Sequence, residues 1–82
     1  MRAVSMRHTV VPSGDRDAFR TRSREARTHY TSAGCRYWVY EEDDLHGAYV
    51  EFFEAPDKET LEKAHLTAKQ PPSRLYIEVD LT

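Results

Sequence analysis

The chain has 82 residues, of which 39% are hydrophobic and 32% charged, and its formal net charge is −2. This composition excludes a disordered chain, no apolar run reaches the roughly 18 residues of a membrane helix, and the single Cys35 excludes an internal disulfide or a cysteine-built zinc site. We expect one domain over residues 1–82, and because its first residues do not lead into a signal peptide, a cytoplasmic location.

Charge is unevenly distributed along the chain. Residues 1–40 contain eight arginines against three acidic residues, whereas residues 41–82 contain four basic residues against eleven acidic ones. The two halves interleave in a small domain, so this pattern favours complementary faces, within one chain or between two copies, over a nucleic-acid-binding tail. A domain of this length buries only about 60% of its unfolded surface, so a partner would add stability.

The first two elements are a strand and a long helix. Alternating residues predict a strand from Ala3 to Val11, which Pro12-Ser13-Gly14 ends. A helix follows to about Ala33, and Gly34 stands where a left-handed residue often closes a helix. Its apolar stripe consists of Phe19, Ala26, Tyr30 and Ala33.

One flank of this helix carries a row of arginines: Arg16, Arg20, Arg24 and Arg27. Their spacing places them side by side on the helix surface. A solvated face, whose long side chains cover apolar neighbours, is the favoured interpretation, and an anion or nucleic-acid site is the alternative.

Two further strands are predicted at Cys35–Glu41 and from Gly47 to Phe53. The acidic connection between them, beginning Glu41-Glu42-Asp43-Asp44, lacks the ligand spacing of a calcium loop, so no metal site is predicted.

Pro56 ends the third strand, and Asp57 is a good N-cap for a second helix. Leu61, Ala64 and Ala68 recur at helical spacing in this helix. After Pro71-Pro72, alternation over residues 75–81 predicts a last strand.

The element order β-α-β-β-α-β predicts a ferredoxin-like α+β fold, in which two helices cover one face of a four-stranded antiparallel sheet. We expect the aliphatic strand positions to face the helices. The opposite face would then carry five aromatic residues: Trp38, Tyr40, Tyr49, Phe53 and Tyr76. Because an exposed face of this kind is unusually apolar, we expect a second copy of the chain to cover it.

Three segments resemble the dimeric α/β-barrel superfamily, in particular antibiotic-biosynthesis-monooxygenase-like domains. They are Ala33-Gly34-Cys35 after the long helix, Glu54-Ala55-Pro56-Asp57 before the second helix, and Ala64-His65-Leu66 within it. The resemblance implies a homodimer of face-to-face sheets and a small pocket between each sheet and its helices. It also implies, as one possibility, cofactor-independent oxygenation of quinol-like substrates.

The haem-degrading branch of that superfamily uses an Asn on the first strand and a Trp and His ten residues apart. This chain has His8 in the first strand and His65 near the Trp position, with no later histidine. We therefore predict neither haem degradation nor any cofactor.

His8 and His65 are the candidate catalytic residues, since both are expected to point into the pocket and imidazoles can move protons near neutral pH. Four residues are expected to bind an apolar or aromatic ligand there: Met6, Tyr30, Phe52 and Leu61. The alternatives are that both histidines are satisfied structural groups and that the protein is a non-catalytic ligand-binding or structural dimer.

RNA is the other partner considered for the sheet. Ala48-Tyr49-Val50-Glu51-Phe52 resembles part of the third-strand motif of RNA-recognition domains. The first strand lacks a stacking aromatic residue, and Glu51 and Glu78 on that face would repel phosphate, so RNA binding is disfavoured. The predicted partner remains a second copy.

Overall fold

A computed structural model describes residues 1–82 as one antiparallel sheet with two helices packed on it. The strands are β1 Ala3–Val10, β2 Arg36–Glu41, β3 Ala48–Ala55 and β4 Tyr76–Ile77, and the helices are α1 Arg16–Ser32 and α2 Lys58–Leu66. The sheet order is β2-β3-β1-β4, with every neighbouring pair antiparallel. The predicted ferredoxin-like α+β fold is confirmed. No helix combines the length and apolarity that crossing a bilayer requires.

Local signals account for the helix ends. A 3-10 turn, Ser13–Asp15, precedes α1, and Gly34 follows it with a φ of +83°, a left-handed conformation that suits glycine. At α2 the side chain of Asp57 accepts a hydrogen bond of 2.8 Å from the amide of Thr60, as expected for an N-cap. Helix α1 therefore begins and ends close to where the sequence predicts, and α2 begins as predicted but ends at Leu66, before Ala68, which was expected within it.

The apolar stripe of α1 packs on the sheet as predicted. Tyr30 and Phe19 are buried, and Ala26 and Ala33 pack against the core at partial exposure. From α2, Leu61 and Ala64 close the same core. Phe19 stacks on Tyr49, with ring centroids 4.5 Å apart.

The predicted assignment of the two sheet faces is wrong for β1 and β3. Tyr49 and Phe53 were expected on the open face, which is the face of the sheet that the helices do not cover. Both lie beneath the helices, and Phe53 is only 1% exposed. Met6 and Phe52 are opposite each other in the β1–β3 register and lie on the open face instead. Residues of β3 are apolar on both sides of the strand, so alternation could not choose the face, and an error of one residue moves every side chain across the sheet.

Trp38, Tyr40 and Tyr76 do lie on the open face, since Trp38 pairs with Phe52, Tyr40 with Val50, and Tyr76 with Val4. Trp38 stacks on Phe52 at 5.5 Å between centroids. The open face is therefore aromatic, as expected, but with a different set of residues.

The last strand is much shorter than predicted. Only Tyr76 and Ile77 pair with β1, and Leu75 packs against the core. After one further backbone hydrogen bond, from the amide of Glu78 to the carbonyl of Arg2, the chain leaves the sheet, and Leu81 is 92% exposed. Alternation over 75–81 overestimated the strand because it does not report whether a neighbouring strand is available.

Candidate functional site

A cavity of about 610 Å³ lies between the sheet and the helices. Its floor comes from β1 and β3, one wall from α1, and its rim from residues 67–70 after α2. The wall residues Phe19, Arg22, Ser23, Ala26 and His29 recur at spacings of three and four along α1, so they share one helix face. The cavity size is within the range of sites for small organic molecules.

The floor holds a buried carboxylate. Glu51 is 4% exposed, and its two oxygens accept hydrogen bonds from Arg7, of 2.9 Å from Nε and 3.2 Å from Nη2. The hydroxyl of Tyr37 donates a further bond of 2.7 Å to the same carboxylate. A buried charge is tolerated when it is paired in this way, so the floor is polar but internally neutral. Burial raises the pKa of Tyr37, so this phenol stays a donor at neutral pH.

The rim is tied to the rest of the cavity by polar contacts. Arg7 donates a bond of 2.7 Å from Nη1 to the carbonyl of Gln70, and Lys69 lies 3.6 Å from the carboxylate of Glu25 on α1. These contacts hold residues 67–70 across the edge of the cavity.

His29 is a cavity residue that the sequence analysis did not identify. Its Nε2 lies 2.8 Å from the carbonyl of Ala64, which can only accept, so Nε2 carries the proton. In the neutral ring, Nδ1 is then the acceptor nitrogen. The available signal was its position in the same face as Ala26 and Phe19.

His65 forms a different, buried polar cluster. Its Nδ1 is 2.7 Å from the hydroxyl of Tyr30, and its Nε2 is 2.9 Å from that of Ser5, which is fully buried. Burial lowers the pKa of His65 and raises that of Tyr30 to about 12. A neutral imidazole has one donor and one acceptor nitrogen, so it can satisfy both hydroxyls at once. His65 thus joins α2 to α1 and β1.

The predicted site residues are not brought together. His8 is exposed on the open face, whereas His65 contacts Ser5 on the helix-covered face, so the expectation that both histidines share a cavity is wrong. Met6 and Phe52 lie on the open face with His8, away from the cavity. The cause is the wrong assignment of faces for β1 and β3.

The other two predicted ligand contacts, Tyr30 and Leu61, are on the helix-covered side of the sheet, but both are packed in the core. Neither lines the cavity. The cavity is lined instead by residues of α1, β1, β3 and the rim.

The arginine row of α1 also lies outside the cavity. Arg16 donates a bond of 3.2 Å to the carbonyl of His46, and Arg20, Arg24 and Arg27 are exposed. Arg22, which was not part of that row, is the α1 arginine that lines the cavity. No group of three His, Cys, Asp or Glu side chains is arranged to hold a metal ion.

The stability of the protein is expected to fall as the pH is lowered below the ordinary pKa of histidine, about 6.5. The folded state lowers the pKa of His65, so the unfolded chain takes up the proton first, and the stabilisation present above that pH is lost between the unfolded and folded pKa values. His65→Gln should weaken this dependence, and His46→Gln, at an exposed position, should preserve it. The urea midpoints of both variants and the parent, at about pH 7.5 and about pH 5, measure the pH dependence of stability. An unchanged dependence in His65→Gln would show that His65 is not its source.

No protein family model matches the chain, and no curated protein matches it in sequence. Among solved structures, the chain is similar to Rv0793 from Mycobacterium tuberculosis, with a TM-score of 0.69 and 17% sequence identity over 98% of this chain and 97% of that one. At this identity the similarity shows the fold, and the class that fold and comparison define is a ferredoxin-like α+β protein.

Proposed function

We propose that this protein is a homodimer that binds a small apolar or aromatic molecule in the cavity beneath its helices, as a dimeric α/β-barrel protein with a monooxygenase-like domain. The observation that carries the proposal is the cavity of about 610 Å³, which combines four apolar side chains, Phe19, Ala26, Phe53 and Ala68, with a neutralised polar floor. Such a combination is typical of sites for small organic ligands. A purely structural dimer would need no such opening in its core.

Aromatic and small side chains give the cavity its apolar surface. Ala26 and Ala68, both half-buried, supply accessible apolar surface, and the rings of Phe19 and Phe53, which are only 5% and 1% exposed, lie behind it. Phe53 is fixed by Tyr30, Tyr37 and His65, whose ring centroids lie within 4.9 to 5.7 Å of its own. The apolar part of the lining is therefore backed by a fixed ring, and a ligand would bind there at little cost in side-chain ordering.

Dimerisation is supported by the open face of the sheet. Its exposed or half-exposed apolar residues are Val4, Met6, Val10, Trp38, Tyr40, Val50, Phe52 and Tyr76. Contiguous apolar surface of this kind usually marks an interface. The face carries two charged pairs, Arg36 with Glu54 at 3.4 Å and Arg2 with Glu78 at 2.9 Å, and each pair is self-compensating. A neutral apolar face suits a second copy of itself better than a phosphate backbone.

Of the two forms of this proposal, a ligand-binding dimer is favoured over an enzyme that uses His8 and His65. Two histidines on opposite faces of one sheet cannot act on the same ligand within one subunit. The resemblance to monooxygenase-like domains would still permit oxygenation without a cofactor. For that reaction the proton acceptor has to come from the groups that line the cavity, and His29 meets this requirement where His65 does not.

The cavity is tested by titrating the uniformly 15N-labelled protein with the neutral probe 2-naphthol. Amide shifts are expected in α1 around Ala26 and in residues 67–70. Ala26→Phe should fill the space and abolish the shifts, whereas the control Ala18→Phe, at an exposed position of the same helix, should preserve them. The dispersion of each spectrum verifies that the variant is folded. Shifts confined to the open face around Trp38 would contradict the proposal.

A further inference from the structure

The charges around the cavity are not balanced. Arg7 is matched with Glu51, and Lys69 with Glu25. Arg22 is the remaining charged residue of the lining, and no carboxylate lies within ion-pair distance of it. His29 directs its protonated nitrogen to the main chain of α2. The lining therefore carries one uncompensated positive charge.

The floor cannot offer a compensating site to a cation. Both oxygens of Glu51 are engaged, one by Nε of Arg7 and the other by Nη2 of Arg7 and the hydroxyl of Tyr37. A cationic ligand would have to displace one of these donors and leave it unpaired in a buried position, which is costly. The polar groups of the floor thus disfavour a positively charged ligand. The charge of Arg22, in turn, favours a negatively charged one.

Resting on the proposed function, we infer that the ligand of the cavity is an amphiphilic monoanion, an aromatic or otherwise apolar carboxylic acid whose carboxylate binds Arg22. Arg22, which is exposed, follows Phe19 by three positions and precedes Ala26 by four on α1, so the cation lies on the same helix face as these apolar residues. The planar guanidinium matches a carboxylate with two parallel hydrogen bonds. The apolar body of the ligand then packs against Ala26 and Ala68, with the buried rings of Phe19 and Phe53 behind them.

The lining has two parts, an apolar surface and the cation of Arg22. A ligand that is anionic throughout would leave the apolar surface of Ala26 and Ala68 unused and would approach the carboxylate of Glu51 at the floor. A wholly apolar ligand would leave Arg22 hydrated at the edge, with no gain from its charge. A molecule with one acidic end and one apolar end uses both parts of the cavity.

Three probes that share one ring system test the inference: 2-naphthoate, the neutral 2-naphthamide and the cationic 2-naphthylmethylammonium. Titration of the 15N-labelled protein gives both the affinity and the location of each. We expect 2-naphthoate to bind about tenfold more tightly than 2-naphthamide, as for one charge-assisted contact, and the cation to bind most weakly. Added salt should weaken only the naphthoate complex appreciably.

The variant Arg22→Gln should reduce the affinity for 2-naphthoate to that for 2-naphthamide and leave the latter unchanged. Arg27→Gln, on the same helix but outside the cavity, should retain the preference. Equal affinities for 2-naphthoate and 2-naphthamide, with shifts in the cavity, would overturn the inference and leave the proposed function standing. A preference that survives in Arg22→Gln would also overturn it. If none of the probes shifts the amides of the cavity, the proposed function itself fails.

Discussion

Replacing Gly47 by alanine is expected to lower the free energy of unfolding by about 3 kcal/mol, because two independent costs fall on one methyl group. Gly47 has a φ of +87°, a conformation that costs a residue with a Cβ roughly 1–2 kcal/mol. A Cβ there would also lie 2.6 Å from the carbonyl oxygen of Val11, which belongs to the backbone and cannot rotate away. The carbonyl oxygen of Gly47 accepts a hydrogen bond of 2.7 Å from the amide of Val11, and its amide donates one of 2.9 Å to the carboxylate of Glu41.

Gly14→Ala is the matched control for this prediction. No atom lies within 4 Å of a Cβ built at Gly14, and its φ is not positive. Urea unfolding of the two variants and the parent, at one fixed protein concentration, gives the comparison. Equal stability of Gly47→Ala and the parent would show that the β2–β3 connection has a different conformation from the one described.

Glu51→Gln is expected to lower the free energy of unfolding by about 3 kcal/mol, the lower end of the range for breaking a buried ion pair, since Arg7 keeps some exposure. The substitution leaves the guanidinium of Arg7 without its counter-ion beneath the helices. It also replaces one of the two acceptor oxygens by an NH2 group, so that either Nε of Arg7 or the hydroxyl of Tyr37 with Nη2 of Arg7 loses its acceptor. The effect should exceed that of Tyr37→Phe, which removes one hydrogen bond and is expected to cost about 1 kcal/mol.

Two controls separate the ion pair from general damage to the sheet. Glu78→Gln, which removes an exposed pair with Arg2 at 2.9 Å, should leave the unfolding midpoint almost unchanged. The double variant Arg7→Met/Glu51→Leu should recover much of the loss, because an apolar pair replaces two buried charges. If Glu51→Gln were as stable as the parent, Glu51 could not be the neutralised floor of the cavity.

The fold was predictable because its signals are local. The stripe of Phe19, Ala26 and Tyr30, the N-cap Asp57 and the positive-φ Gly34 each depend on a few neighbouring residues, and all occur where the sequence indicates. Element type and order follow from such signals.

The sheet faces and the site were less predictable because they depend on distant partners. A glutamate within β3 suggests a solvent-facing side of the strand, yet Glu51 is buried because Arg7 and Tyr37, remote in sequence, neutralise it. Once this face was misassigned, Met6, Phe52 and His8 were placed in the pocket and Tyr49 and Phe53 outside it. An apolar pattern on both sides of β3 contains no information that could correct the choice.

The mass of the protein in solution tests the central claim most directly. Light scattering on a sizing column, at low micromolar concentration and moderate salt, should give twice the 9.6 kDa of one chain. Met6→Glu, on the open face, should shift the protein to the monomer, whereas Leu66→Glu, at an exposed apolar position of α2, should not. A parent protein that remains at 9.6 kDa, or a dimer that Met6→Glu leaves intact, would contradict association through the open face of the sheet.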